Sequence, residues 1–261
     1  MKFDFKLWEG HAPGYVEGWE DPYLSYYPAQ NKRGNGAVVI LAGGGYMTRS
    51  THEYQGYAEY LSERGIDCFA VHYRVKPYHF PCALLDARRG LRFVRSKAEE
   101  FGIDPNKIAI MGSSAGGHLA ALLSTYRGKL DGEGDELDLV DCIPNGQILC
   151  YPVIEYTGHA ASYENLLGDR LEELLASVTP SLIADDRTPP AFMWHTFEDK
   201  CVNITNTYNY AKKLKELGKH TELHVYPHGN HGLGLAPDHP YIKDWANQLM
   251  RWLKLYKYIE E

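Results

Sequence analysis

The sequence predicts an α/β fold, a mostly parallel central sheet with helices on both faces. Three observations carry that prediction. Short, almost wholly apolar runs recur along the chain, segments of helical periodicity separate them, and glycine- or proline-containing turns punctuate the joins. The tyrosine-rich stretch DPYLSYYPA (21–29) reads first, as an antiparallel strand added at the sheet edge. AVVILAG (37–43), IDCFAVHYR (66–74), KIAIMG (107–112), QILCYPVI (147–154), AFMWHT (191–196) and TELHVYP (221–227) follow as strands, because near-continuous apolar runs suit a sheet buried on both faces. Between them, 53–64, 83–101, 115–127, 204–217 and 240–257 carry helical patterns. Gly65 and Gly218 follow two of these helices, where a left-handed residue ends a helix at little steric cost.

Two stretches break the alternation. The acidic, glycine-rich RGKLDGEGDELDLVD (127–141) reads as a solvated loop, and 155–190 reads as a small lid-like insertion containing the short helix RLEELLAS. At 261 residues, with no internal repeat or linker, the expected organisation is one domain over 1–261.

Composition narrows the function classes. The formal net charge of -7 is spread along the chain, and no Lys/Arg block is present to track a phosphate backbone, so nucleic acid is not an expected partner. No stretch approaches the roughly 20 apolar residues of a membrane span, and MKFDFKLWEGHAPGY lacks a signal-peptide core, so a cytoplasmic location is expected. Five cysteines (Cys68, Cys82, Cys142, Cys150, Cys201) without CxxC spacing argue against a disulfide framework or a zinc cage. Neither a metal nor a cofactor is expected, and nothing predicts an interface between copies of the chain.

The segment KIAIMGSSAGGHLAA (107–121) contains two adjacent serines, and only Ser114 is the centre of a GxSxG pattern, Gly112 to Gly116. A nucleophile at a strand-to-helix turn needs small residues two before and two after it, because the chain passes close to itself there. The apolar strand before Ser114 and the helical AGGHLAALLSTY after it supply that setting, with helix N–H groups pointing back at the serine.

A serine is a weak nucleophile without a base, an orienting acid and an oxyanion site. His231, in the YPHGNHGLGL loop after the last strand, is the base candidate, and His228 in the same loop competes with it. The pair could be an H-x-x-H metal fragment, but no neighbouring Cys or carboxylate completes such a site. Asp199, in the loop after AFMWHT, is the acid candidate; spacing leaves Glu198 and Glu155 open. The glycine run in LAGGGYMT (41–48) follows the first central strand, so Gly44, Gly45 and the Ala115 N–H are the expected oxyanion donors. A dinucleotide-binding reading of the same glycines fails, because Thr48 stands where GxGxxG requires glycine.

Taken together, AVVILAGGGYMTRS, HYRVKP, the segment 81–121, TPPAFMWHTFEDKCV and YPHGNHGLGLA resemble the α/β-hydrolase fold esterases of the acetyl esterase, xylan esterase and feruloyl esterase-like group, relatives of hormone-sensitive lipase. The resemblance runs from about residue 35 to the C-terminus. It implies an α/β-hydrolase fold, Ser114 as nucleophile, Asp199 rather than Glu198 as acid, His231 as base, and the oxyanion hole at the glycine run and Ala115. Two positions depart from the pattern. Ala42 stands where the family has a histidine that stiffens the glycine loop, and Val202-Asn203 replaces a common Val-Pro.

The expected function is a serine carboxylesterase acting on small-molecule, short-chain acyl esters, with acetylated carbohydrates as the substrate class the family implies. An amide or formamide hydrolase with the same residues, and a non-catalytic ligand-binding protein, are the alternatives. Tyr46, Tyr78 and Trp194 are candidates for a sugar-stacking wall, with core packing the favoured reading for Trp194.

Overall fold

The computed structural model describes residues 2–260. Within them, eight strands make one sheet in the order β1-β2-β4-β3-β5-β6-β7-β8. These are β1 (Phe3–Lys6), β2 (Tyr23–Tyr27), β3 (Ala37–Leu41), β4 (Asp67–His72), β5 (Ile108–Ser113), β6 (Gly146–Cys150), β7 (Ala191–Thr196) and β8 (Thr221–Tyr226). The run from β4 through β3 to β8 is parallel, whereas β1 and β2 pair antiparallel with each other and β2 with β4. The tyrosine-rich strand is therefore antiparallel as expected but is not the edge. Four residues of β1, FDFK, cover it, too short an alternation to stand out in the sequence.

Among the described residues, nine α-helices connect or flank the strands: α1 (Thr51–Ser62), α2 (Cys82–Ser96), α3 (Ala98–Phe101), α4 (Ser114–Thr125), α5 (Ala160–Leu167), α6 (Leu171–Leu174), α7 (Pro180–Ile183), α8 (Thr205–Glu216) and α9 (Trp245–Leu255). Strand alternation sorts the core into two layers. On one face Val39, Leu41 and Ile110 pack with Leu84 and Leu91 of α2, Leu119 of α4 and Leu214 of α8. On the other, Val38, Ile40 and Met111 pack with Tyr57 of α1 and with Trp245 and Trp252 of α9. Trp194 stacks on Trp245 with ring centroids 5.0 Å apart, so one aromatic pair ties β7 to α9.

The acidic 127–141 segment is not the free solvated loop its composition suggests. Glu133 accepts from the guanidinium groups of Arg88 (3.0 Å) and Arg92 (2.7 Å) on α2, and Asp138 accepts from Arg92 at 2.9 Å. Charges that look surplus in the sequence are neutralised by a helix some 45 residues away. The same helix holds the end of β4, where Asp86 grips the Arg74 guanidinium and the Arg74 N–H with both partners buried. The 155–190 insertion contains α5, α6, α7 and intervening 3-10 turns, and RLEELLAS is helical only from Leu171, tightening to a 3-10 turn at Leu175.

Candidate active site

β5 ends at Ser113 and α4 begins at Ser114, whose φ of 52° lies in the left-handed region that a residue with a side chain rarely adopts. The flanking glycines explain how the turn closes. A Cβ on Gly112 would lie 2.1 Å from the Gly116 carbonyl oxygen, and one on Gly116 would lie 2.2 Å from that of Leu41. Neither neighbour is a flexible side chain, so both positions exclude anything larger than glycine.

The structure brings Ser114, His231 and Asp199 into one hydrogen-bonded chain. His231 Nε2 is 2.8 Å from Ser114 Oγ and its Nδ1 is 2.6 Å from Asp199 Oδ2. With the Nδ1–H given to the carboxylate, Nε2 is left to accept the serine proton, the tautomer a general base needs. The sequence-level competitors fall away from this chain. His228 and Glu198 pair with each other at 2.9 Å, their side chains 80% and 54% exposed, and Glu155 accepts from Ser181 and Asn209 instead.

Asp199 is held more firmly than spacing revealed. Its Oδ1 accepts the N–H groups of Cys201 and Val202, and its Oδ2 also receives His195 Nε2 at 3.1 Å. His195 Nε2 lies 3.0 Å from the Val202 carbonyl as well, which can only accept, so that nitrogen carries a proton, while Nδ1 is 2.8 Å from Thr207 Oγ1. Burial would raise the Asp199 carboxyl, but the bonds from His195, His231 and Val202 outweigh it and hold the group well below the usual carboxylate range. His195 carried no motif signal.

The glycine run lies beside the serine: a Cβ on Gly43 would sit 3.0 Å from that of Ser114. Gly43 gives its N–H to the buried Glu53 at 2.9 Å. The N–H groups of Gly44 and Gly45 have no protein acceptor among the described residues, and Ala115 lies in the first turn of α4, whose N–H groups lack intrahelical partners. These three remain the donors available to an oxyanion. Without a histidine at position 42, the loop is held by the Tyr73 hydroxyl on the Ala42 carbonyl at 2.6 Å and by Glu53. Tyr46, the next residue, bonds His118 Nδ1 of α4 at 2.7 Å; His118 Nε2 donates to the Val178 carbonyl of the insertion at 2.9 Å.

The candidate stacking wall is corrected for Tyr46 and Tyr78, while Trp194 packs in the core as expected. Tyr46, Tyr78 and Trp194 are all buried, the first in the bond to His118 and the last against Trp245 and Tyr151, so none offers a ring face to a sugar. Among the described residues, no helix is long and apolar enough to cross a membrane, and no group of three or more His, Cys, Asp or Glu side chains could hold a metal ion.

With this geometry in place, comparison with known proteins is informative. A family model described as BD-FAE matches residues 25–214. The chain is 31% identical over 255 residues to endo-1,4-beta-xylanase B of Butyrivibrio fibrisolvens, covering 94% of this chain and 40% of that protein. It is 33% identical over 227 residues to the acetylxylan esterase of Xylanibacter ruminicola, covering 84% and 45%. The chain thus spans less than half the length of these two relatives. Among solved structures, the acetyl ester-xyloside bifunctional hydrolase of Caldicellulosiruptor lactoaceticus superimposes with a TM-score of 0.93 at 36% identity, over 99% of this chain and 97% of that one. The fold is that of the α/β hydrolases, and the chain belongs to the BD-FAE family.

Proposed function

We propose that this chain is a serine carboxylesterase that hydrolyses short-chain acyl esters through an acyl-enzyme, with acetylated carbohydrates as its substrate class. The observation that carries the reading is the continuous Ser114–His231–Asp199 chain at 2.8 and 2.6 Å, set at a left-handed elbow beside a glycine loop with unclaimed N–H groups. Ser114 Oγ attacks the ester carbonyl carbon as His231 Nε2 takes its proton, and Asp199 stabilises the imidazolium that forms. The negative oxygen is received by the N–H groups of Gly44, Gly45 and Ala115, each such donor being worth about 10²- to 10³-fold in turnover. Collapse expels the alcohol with the proton from His231, and water, activated by the same imidazole, releases the acid and restores Ser114.

The substrate class rests on what the relatives are named for, acetylxylan esterase and acetyl ester-xyloside hydrolase. A cytoplasmic setting belongs to the same proposal and rests on five unpaired cysteines, with Cys201 exposed. Hydrolysis of p-nitrophenyl acetate against p-nitrophenyl octanoate, by wild type and by Ser114→Ala, is the test. The reading expects acetate to be cleaved much faster and the variant to lose about 10⁴-fold or more. A folded wild type inert on both esters but active on N-formyl substrates would move the assignment to the amide hydrolases.

A further inference from the structure

Glu53 is the acidic residue in the first turn of α1 and is only 2% exposed. A carboxylate buried that deeply is costly unless both oxygens are satisfied, and here they are. Oε2 accepts the Gly43 N–H at 2.9 Å, and Oε1 accepts the Tyr151 hydroxyl at 2.6 Å. Having given its proton to Glu53, the Tyr151 oxygen accepts the Gly234 N–H at 3.0 Å, three residues beyond His231, and lies 3.2 Å from the Tyr57 hydroxyl. Tyr57 is in turn 2.9 Å from Ser113 Oγ, next to the nucleophile. Every proton in this chain can run the same way, from Ser113 through Tyr57 and Tyr151 to the carboxylate.

One buried group therefore joins the three segments the chemistry must keep in register. The glycine loop is reached through Gly43, the elbow through Tyr57 and Ser113, and the base loop through Tyr151 and Gly234. Tyr151 adds a packing term: its ring meets that of His231 edge-on, with centroids 5.0 Å apart, and its own φ of 39° is left-handed. Because Gly43 is pressed against the elbow and its N–H is spent on Glu53, the peptides that follow, with the donors of Gly44 and Gly45, are aimed by that bond.

We infer that Glu53 is a positioning residue that, through Tyr151, sets the oxyanion-loop N–H groups and the His231 loop relative to Ser114; this rests on the esterase reading above. The carboxylate does not touch substrate. Its removal impairs stabilisation that exists only in the transition state, so turnover falls while ground-state binding is kept.

The test compares wild type, Glu53→Gln and Tyr151→Phe on p-nitrophenyl acetate, with active sites counted by fluorophosphonate titration so that only folded protein is scored. Gln keeps the shape but turns an amide donor toward either the Gly43 N–H or the Tyr151 hydroxyl, both of which need an acceptor. The expected result is a fall in kcat of about 10²-fold for Glu53→Gln and about tenfold for Tyr151→Phe, with KM within about threefold in both. The inference is overturned if kcat per titrated site stays within threefold of wild type in both variants. It is equally overturned if KM rises and carries the loss. Tyr151→Phe keeps the ring and so decides the matter if Glu53→Gln does not fold. If wild type itself hydrolyses no ester, the esterase reading fails on its own, and the clamp is judged by amide hydrogen exchange over 42–49 in the same two variants: faster exchange at Gly43 than in wild type supports it, and unchanged exchange sinks it.

Discussion

The elbow formed by β5 and α4 and the insertion at 155–190 meet at the glycine loop, and they are built by opposite means. Every residue from Ile108 to Thr125 is buried, and the turn between the two elements tolerates no added atom at Gly112 or Gly116. The insertion has no helix longer than the eight residues of α5 and leaves Leu182 64% exposed; it seats Tyr163, Leu166, Leu167 and Val178 in the core and is otherwise tied to the body by the Arg127–Asp185 ion pair and scattered hydrogen bonds. Among these are Asn165 Nδ2 to the Gly45 carbonyl at 2.9 Å, the Phe80 N–H to the Leu166 carbonyl at 2.6 Å, and His118 to Val178. Dense packing holds Ser114 to one geometry, whereas short helices joined by scattered polar contacts place the insertion nearer the low-stability end of the fold. Rate and substrate binding should therefore be separable by mutation.

The comparison breaks most visibly on the dense side. Asp199→Asn keeps the volume but removes the negative charge and offers an amide donor to His231 Nδ1, favouring the unproductive tautomer. A loss in kcat of about 10⁴-fold is expected, with KM little changed, in steady-state hydrolysis of p-nitrophenyl acetate. A loss below tenfold would mean that His231 does not depend on this carboxylate.

Gly116→Ala places a methyl group against the Leu41 and Ala42 carbonyls, both backbone. A destabilisation of at least about 3 kcal/mol is expected, read as a lower urea midpoint by circular dichroism. An unchanged midpoint would show that the elbow can relax and that its packing is looser than the distances imply.

His118 belongs to both regions, since it joins Tyr46 of the glycine loop to Val178 of the insertion. Burial lowers its pKa to about 4. The unfolded chain takes up a proton at this residue near pH 6.5 and the folded one only near 4, so the stability present above pH 6.5 is lost as pH falls through that window. The loss from this one group amounts to about 3 kcal/mol. Urea denaturation at pH 7 and at pH 4 should show His118→Gln losing less stability than wild type by roughly that amount; equal losses would place the acid sensitivity elsewhere.

The smallest effect is expected on the sparse side. Asn165→Ala deletes one bond from the insertion to the glycine loop, worth about 1 kcal/mol. KM for an acetylated sugar should rise about fivefold with kcat unchanged. A fall in kcat instead would mean that the insertion helps to set the oxyanion donors, and the separation between the two regions would dissolve.

What could be read from the sequence follows the range of the interactions. Ser114 was legible because its turn is specified by residues two positions away on either side. His231 and Asp199 followed from chain order once the strands were placed, with the family pattern choosing Asp199 over Glu198. β1 was not legible, because four residues are too few to show a period. The acidic 127–141 segment was read as solvated because the arginines that bind Glu133 lie 41 and 45 residues away. Tyr46, a candidate for a stacking wall, is buried, since an aromatic side chain carries no mark of which face it will occupy, whereas Trp194 packs in the core as expected.

By itself, the sequence determined the alternation of strands and helices, the elbow and the identities of the three residues that line up at it, because each depends on local periodicity or a short motif. Only the tertiary structure decided that Glu53, Tyr151, Tyr57 and His195 stand behind them. Their bonds to one another and to the site span separations from 4 to 98 residues, and a buried polar group finds its partner through the packing of the whole sheet, which no local pattern encodes.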